Sequence, residues 1–139
     1  MSNSLHLPTA KDLQSIAKRY HLRLIVLFGS QATRRTHLES DVDVAIWVER
    51  PLSTAKRNRL WIDLSKVFGA DVDLTVLNHA EPLLLWHVAT KGRLLYGSTR
   101  WAWPDFKAYA FRNYQDTQKF RDDLTRYLRR EIQGVRYAG

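Results

Sequence analysis

Hydrophobic positions along the chain change period several times, and each change marks an element. In PTAKDLQSIAKRY, Leu13, Ile16, Ala17 and Tyr20 recur at helical spacing, and Thr9 stands where it can cap the first turn, with Asp12 three residues on. HLRLIVLF is aliphatic and β-branched and predicts a strand that stops at Gly29-Ser30. The polar stretch QATRRTHLES is a connection. DVDVAIWV alternates: Val42, Val44, Ile46 and Val48 face one way, Asp41, Asp43, Ala45 and Trp47 the other.

Pro51 to Ser53 interrupt the pattern, and STAKRNRLWIDLSKVFG resumes it as a helix, with Leu60, Leu64, Val67 and Phe68 on one face and Gly69 at its end. ADVDLTVLN is a third strand. Val72, Leu74 and Val76 share one side, while Asp71, Asp73 and Thr75 share the other. A shorter helix with Pro82 in its first turn and Gly92 past its end precedes RLLYG, an expected edge strand. From Pro104 the steps of three or four through Phe106, Tyr109, Asn113, Thr117, Phe120, Leu124, Tyr127 and Leu128 predict one long helix ending at Gly134. The pattern is α/β, one domain over residues 1–139, with a core of about 10–97 and a helical tail of about 104–134.

Two aspartates at the head of a buried strand need a physical reason. Asp41 and Asp43 share a face about 7 Å apart, where they repel each other and lose hydration. A divalent cation between them offsets both costs. Magnesium suits this oxygen chemistry, since it commonly takes one or two carboxylates and completes its shell with substrate phosphates. Gly29 permits close approach of a phosphate to the backbone, and turn amides with the Ser30 hydroxyl supply donors. A third strand beside the second would bring Asp71 or Asp73, which share a face, toward the same cation, as a ligand or as the base for an acceptor proton. Taken alone, a Gly-Ser corner is usually a turn and a D-x-D usually a solvated strand start. Their order and spacing carry the weight.

Charge and composition add to this. The 139 residues carry 45% apolar and 26% charged side chains, a globular balance. A formal charge of +8 suits an acidic partner (nucleic acid, a nucleotide or an acidic protein) without choosing among them. With no cysteine there is neither a disulfide framework nor a thiolate metal site, which fits a cytoplasmic setting. No stretch reads as a membrane span or a secretion signal.

Gly29-Ser30, ten residues, then Asp41-Val-Asp43 resembles the G-S-x10-D-x-D signature of the DNA polymerase β-like nucleotidyltransferases. The flanking GSQAT…SDVDVAI and the later VDLTVLN look like the minimal nucleotidyltransferases, the MNT antitoxins paired with HEPN-domain RNase toxins. This resemblance implies a small mixed sheet flanked by helices. It implies Asp41, Asp43 and Asp73 as a magnesium-binding, catalytic carboxylate triad, and Gly29 and Ser30 as the grip on ATP. It further implies transfer of AMP from ATP to a tyrosine of the partner toxin, which silences it within a hetero-oligomeric complex. One departure is Arg34, where many relatives have glycine; its guanidinium fork can reach a phosphate. A catalytically idle antitoxin that acts by binding alone is the alternative, and a nucleotidyltransferase acting on RNA or a small molecule is another. The intact acidic set disfavours the first, and the lack of a separate acceptor domain weakens the second.

Other residues invite bland readings. Arg34 and Arg35 flank the expected phosphate site, but loop arginines are often only solvated. His37 sits in the same polar loop, and His79 and His87 lack metal-ligand spacing. Trp47 on the aspartate face is expected to pack rather than stack on a base. Trp101 and Trp103 are expected to pin the tail to the body or mark a partner surface. Nine Lys/Arg against five Asp/Glu from Arg100 onward, interleaved with Tyr109, Tyr114 and Tyr127, fit a packed helix first and a partner-binding helix second.

Overall fold

The computed structural model describes residues 7–29 and 41–134. Four strands, β1 (Leu22–Phe28), β2 (Val42–Val48), β3 (Val72–Val76) and β4 (Arg93–Gly97), form one sheet in the order β3-β2-β1-β4. β1 runs antiparallel to both β2 and β4, and β2 runs parallel to β3. The parallel pair needs a crossover, which α2 (Thr54–Phe68) supplies.

Two helical layers sandwich the sheet. α1 (Ala10–Tyr20) and α2 cover one face, with Leu13, Ile16, Leu60, Leu64 and Phe68 packed on Ile25, Leu27, Val44 and Ile46. α3 (Pro82–Lys91) and α4 (Ala102–Asp116) cover the other, with Leu85, Val88 and Phe106 packed around Val26 and Ala45. The helix ends follow their sequence cues. The Thr9 hydroxyl accepts from the Asp12 N–H, that of Ser53 accepts from the Lys56 N–H, and Gly69 closes α2 at φ 66°. Among the described residues no helix is long and apolar enough to cross a membrane.

β1 departs from simple alternation. A register shift between Leu22 and Leu24 puts these two residues in opposite cores although they stand two apart. The intervening Arg23 lies over the Trp47 ring, 4.1 Å from its centroid. Trp47 is enclosed from the other side by Phe106 and Tyr109, so it packs, as expected.

β3 lies at the sheet edge, and α2 seals it. Trp61 Nε1 donates to the Val72 carbonyl at 2.5 Å, Arg57 donates to the Leu74 carbonyl at 3.2 Å, and the Ser65 hydroxyl accepts from the Val72 N–H at 3.3 Å. These side chains occupy backbone groups that would otherwise recruit another strand. Past β3 a 3-10 turn, Leu77–His79, sets Asn78 beside β2, where its amide both donates to the Val48 carbonyl and accepts from the Val48 N–H, each at 2.9 Å.

The tail differs from expectation. The helix begins at Ala102 and breaks at Thr117 into α4 and α5 (Gln118–Gly134), rather than running unbroken from 104 to 134. At the break the Thr117 hydroxyl donates to the Tyr114 carbonyl at 2.9 Å, competing with the helical ladder. Arg121 also donates to that carbonyl at 3.0 Å, bonds the Thr117 hydroxyl, and lies 3.7 Å over the Tyr114 ring. Tyr114 in turn stacks on Trp86 of α3 at 4.5 Å. The core also explains the break: Ala102, Phe106 and Ala110 of α4 are buried, whereas α5 has no buried residue.

Candidate active site

The strand order brings the acidic residues together. In the parallel ladder Asp43 is the register partner of Asp73, and in the antiparallel ladder it is the partner of Phe28. Phe28, Asp43 and Asp73 therefore form a row across three strands. Alternation with the Val42/Val44 and Val72/Leu74 core positions turns both aspartates to the α3/α4 face. Asp43 is half-buried, while Asp41, Asp71 and Asp73 are exposed.

Asp43 bears the electrostatic load. Burial pushes its carboxyl above the ordinary range; the charge of Asp73, a hydrogen bond with Asp73 and, least of the four, the charge of Asp41 push the same way. Asp71 is not among these influences. Its carbonyl instead accepts from the Val42 N–H at 2.9 Å, and the residue borders a shallow depression with Trp61, Ser65 and Gly69.

Gly29 completes the arrangement from β1. It adopts φ +74°, and a β-carbon built there would lie 2.9 Å from Cγ of Asp43 and 3.2 Å from its Cβ. The turn leaving β1 is thus packed directly against the Asp43 carboxylate, and only glycine fits both the dihedral and the space. Ser30 and Arg34, with Arg35 and His37, lie outside the described residues.

The donor chemistry fits a hard divalent cation: carboxylate oxygens, one of them destabilised by burial and repulsion that a cation would relieve. Among the described residues no three His, Cys, Asp or Glu side chains form a ready metal-holding group. Asp43 and Asp73 form the close pair, and a cation there would need further oxygens, as phosphates provide. His79 and His87 are exposed on separate elements and join no such group.

The ladder also brings up a cation that the sequence pattern does not single out. Arg93 is the register partner of Leu27, so it lies at the end of the sheet where β1 turns toward Gly29. Only the β1–β4 pairing reveals this, because the two strands are far apart in sequence.

Comparison with known proteins agrees with this geometry. The family model Polymerase beta, Nucleotidyltransferase matches residues 11–100. A protein adenylyltransferase MntA of Shewanella oneidensis is 36% identical over 77 residues, 55% of each chain, and one of Aphanizomenon flos-aquae is 28% identical over 105 residues, covering 65% of this chain and 70% of that one. The matched segment thus spans about half the length of the Shewanella relative. A chain in the crystal structure of a toxin-antitoxin with AMP-PNP superposes with TM-score 0.73 at 28% identity, covering 86% of this chain and 98% of that one. One in a complex of tri-AMPylated Shewanella oneidensis HEPN toxin with MNT antitoxin gives TM-score 0.66 at 26% identity, covering 86% and 94%. With its mixed sheet, its helical layers and its paired strand-borne aspartates, the chain belongs to the polymerase beta nucleotidyltransferase family.

Proposed function

We propose that this protein is an antitoxin that transfers AMP from ATP to a tyrosine of a HEPN-domain toxin and thereby neutralises it. The observation that carries the reading is the pairing of Asp43 with Asp73 across β2 and β3, beneath the Gly29 turn. Purely steric neutralisation would not require a half-buried carboxylate held against a second one. The named relatives and the toxin-antitoxin complexes supply the reaction and the partner class.

In this reading Asp41, Asp43 and Asp73 hold magnesium, which offsets the charge of the triphosphate. Gly29 allows the backbone close to the phosphates, and Ser30 and Arg34 donate to them. The tyrosine oxygen forms a bond to the α-phosphorus while the bond to pyrophosphate breaks. Asp73, exposed beside Asp43, takes the phenolic proton. Catalysis then consists of positioning and charge neutralisation.

Incubation with labelled ATP, magnesium and a HEPN-domain toxin tests the proposal. Label is expected on the toxin, and is expected to vanish in Asp43→Ala and Asp73→Ala. Neutralisation of the toxin without any label would establish binding alone, and label on RNA or a small molecule would redirect the assignment.

A further inference from the structure

Asp73 stands on a strand with a neighbour on one side only. β3 is the outer strand of the sheet and five residues long, and in its ladder Asp73 is paired with Asp43. Two carboxylates in register on adjacent strands repel each other. Asp43 lies half-buried on an inner strand and Asp73 exposed on the outer one, so β3 is the strand that yields to this repulsion. The ladder with β2 holds it from the inside alone.

Helix α2 supplies a hold from the outside. Arg57, Trp61 and Ser65 are spaced by four residues and so lie along one side of the helix. Backbone polar groups alternate in direction along a strand. The Asp71 carbonyl accepts from the Val42 N–H of β2, whereas the N–H and carbonyl of Val72 and the carbonyl of Leu74 turn outward to this row. Trp61 and Ser65 bond the residue before Asp73, and Arg57 bonds the residue after it. The packing of α2 on the sheet falls to the neighbouring row, Leu60, Leu64 and Phe68, whose side chains are buried.

We propose that Arg57, Trp61 and Ser65 are positioning residues, which clamp β3 on both sides of Asp73 and hold its carboxylate close enough to Asp43 for the two to share one cation. The inference rests on the nucleotidyl-transfer reading above, in which these aspartates hold magnesium. Without the clamp the buried row keeps α2 on the sheet, while β3 relaxes outward and the two carboxylates cease to converge. The loss appears first in metal affinity, because side chains that orient metal ligands from behind commonly govern it by ~10-fold or more.

Titration of the full chain with Mn2+ in the presence of AMP-PNP tests this. Water-proton relaxation separates Mn2+ held by the protein from Mn2+ held by nucleotide alone, and circular dichroism confirms that each variant is folded. Trp61→Phe with Ser65→Ala frees both polar groups of Val72. This double variant is expected to raise the Mn2+ dissociation constant at least ~10-fold, and the magnesium concentration for half-maximal AMP transfer in parallel. Ser65→Thr keeps the hydroxyl and should stay within ~2-fold of wild type. Asn78→Ala serves as the stability control. It loosens β2 at Val48, the opposite end from Asp43, and should also leave Mn2+ affinity within ~2-fold. A double variant that binds Mn2+ as tightly as Asn78→Ala overturns the proposal alone, as does a Ser65→Thr chain as weak as the double variant. A wild-type chain that neither holds Mn2+ with AMP-PNP nor labels the toxin overturns the nucleotidyl-transfer reading and the proposal with it.

Discussion

Asp43 occupies the space that any side chain at Gly29 would need. Gly29→Ala therefore combines a strained positive φ with a displaced carboxylate. The dihedral alone costs about 1–2 kcal/mol, and the shift of Asp43 disturbs the acidic pair. AMP transfer is expected to fall at least ~10-fold, because misplacing a reacting group by a fraction of an ångström carries penalties of that order. Thermal melting and the labelled-ATP assay on the same preparation separate the two losses.

Asp43→Asn is expected to have opposite effects on activity and stability. It removes a carboxyl whose ionised form is disfavoured by burial and by Asp73, so it abolishes transfer and raises the melting temperature at pH 7 by on the order of 2 °C. The sign follows from linkage. The carboxyl's folded-state pKa is raised, so its favourable contribution is fully present below its unfolded value and is lost as pH rises through the folded value. The advantage of Asp43→Asn should accordingly shrink as pH falls below the usual carboxylate range. A melting series from pH 3 to pH 8 without added metal checks this, and equal stabilisation at every pH would rule out the electrostatic explanation.

Trp61→Phe keeps most of the ring but removes the donor to the Val72 carbonyl. A destabilisation of about 1 kcal/mol is expected from the lost hydrogen bond, and the uncapped β3 edge should add concentration-dependent aggregation. Light scattering during heating, at two protein concentrations, distinguishes this from simple loss of packing.

Asn78→Ala removes both bonds to Val48 and leaves its N–H and carbonyl without these partners. About 1–3 kcal/mol of stability should be lost, readable as a shift of the urea midpoint at constant slope. Phe106→Ala, which opens the α3/α4 core, should cost about 3–5 kcal/mol.

Much of this fold was legible because local signals agreed with one another. Alternation in DVDVAIWV and ADVDLTVLN gave the faces, and Thr9, Ser53, Gly69 and Pro82 marked the helix ends. The Asp43–Asp73 relationship followed once the two strands were taken as neighbours, but their register came from the packing of Val44 and Leu74 against α2. Periodicity did not give the α4–α5 break. Thr117 continues the apolar spacing, and the interruption arises where the Thr117 hydroxyl and Arg121 both donate to the Tyr114 carbonyl. Nor did it give Arg93, since nothing local in RLLYG reports that β4 lies beside β1. Of the proposed site, Gly29, Asp41 and Asp43 are named by their residue pattern and Asp73 is preferred to Asp71 only by the family resemblance, while the pairing of Asp73 with Asp43 and the steric dependence of Asp43 on Gly29 needed coordinates.

The parallel seating of β2 against β3 carries a further implication for how this protein can change. Because neighbouring residues on a strand point to opposite faces, a one-residue slip of β3 against β2 would put Asp73 into the greasy layer and a core valine or leucine in its place. The connector before β3 can take up a change in length, whereas the strand itself cannot slip by one. The chemistry is guarded by a parity rule enforced from the greasy side of the sheet, by side chains that never meet a nucleotide.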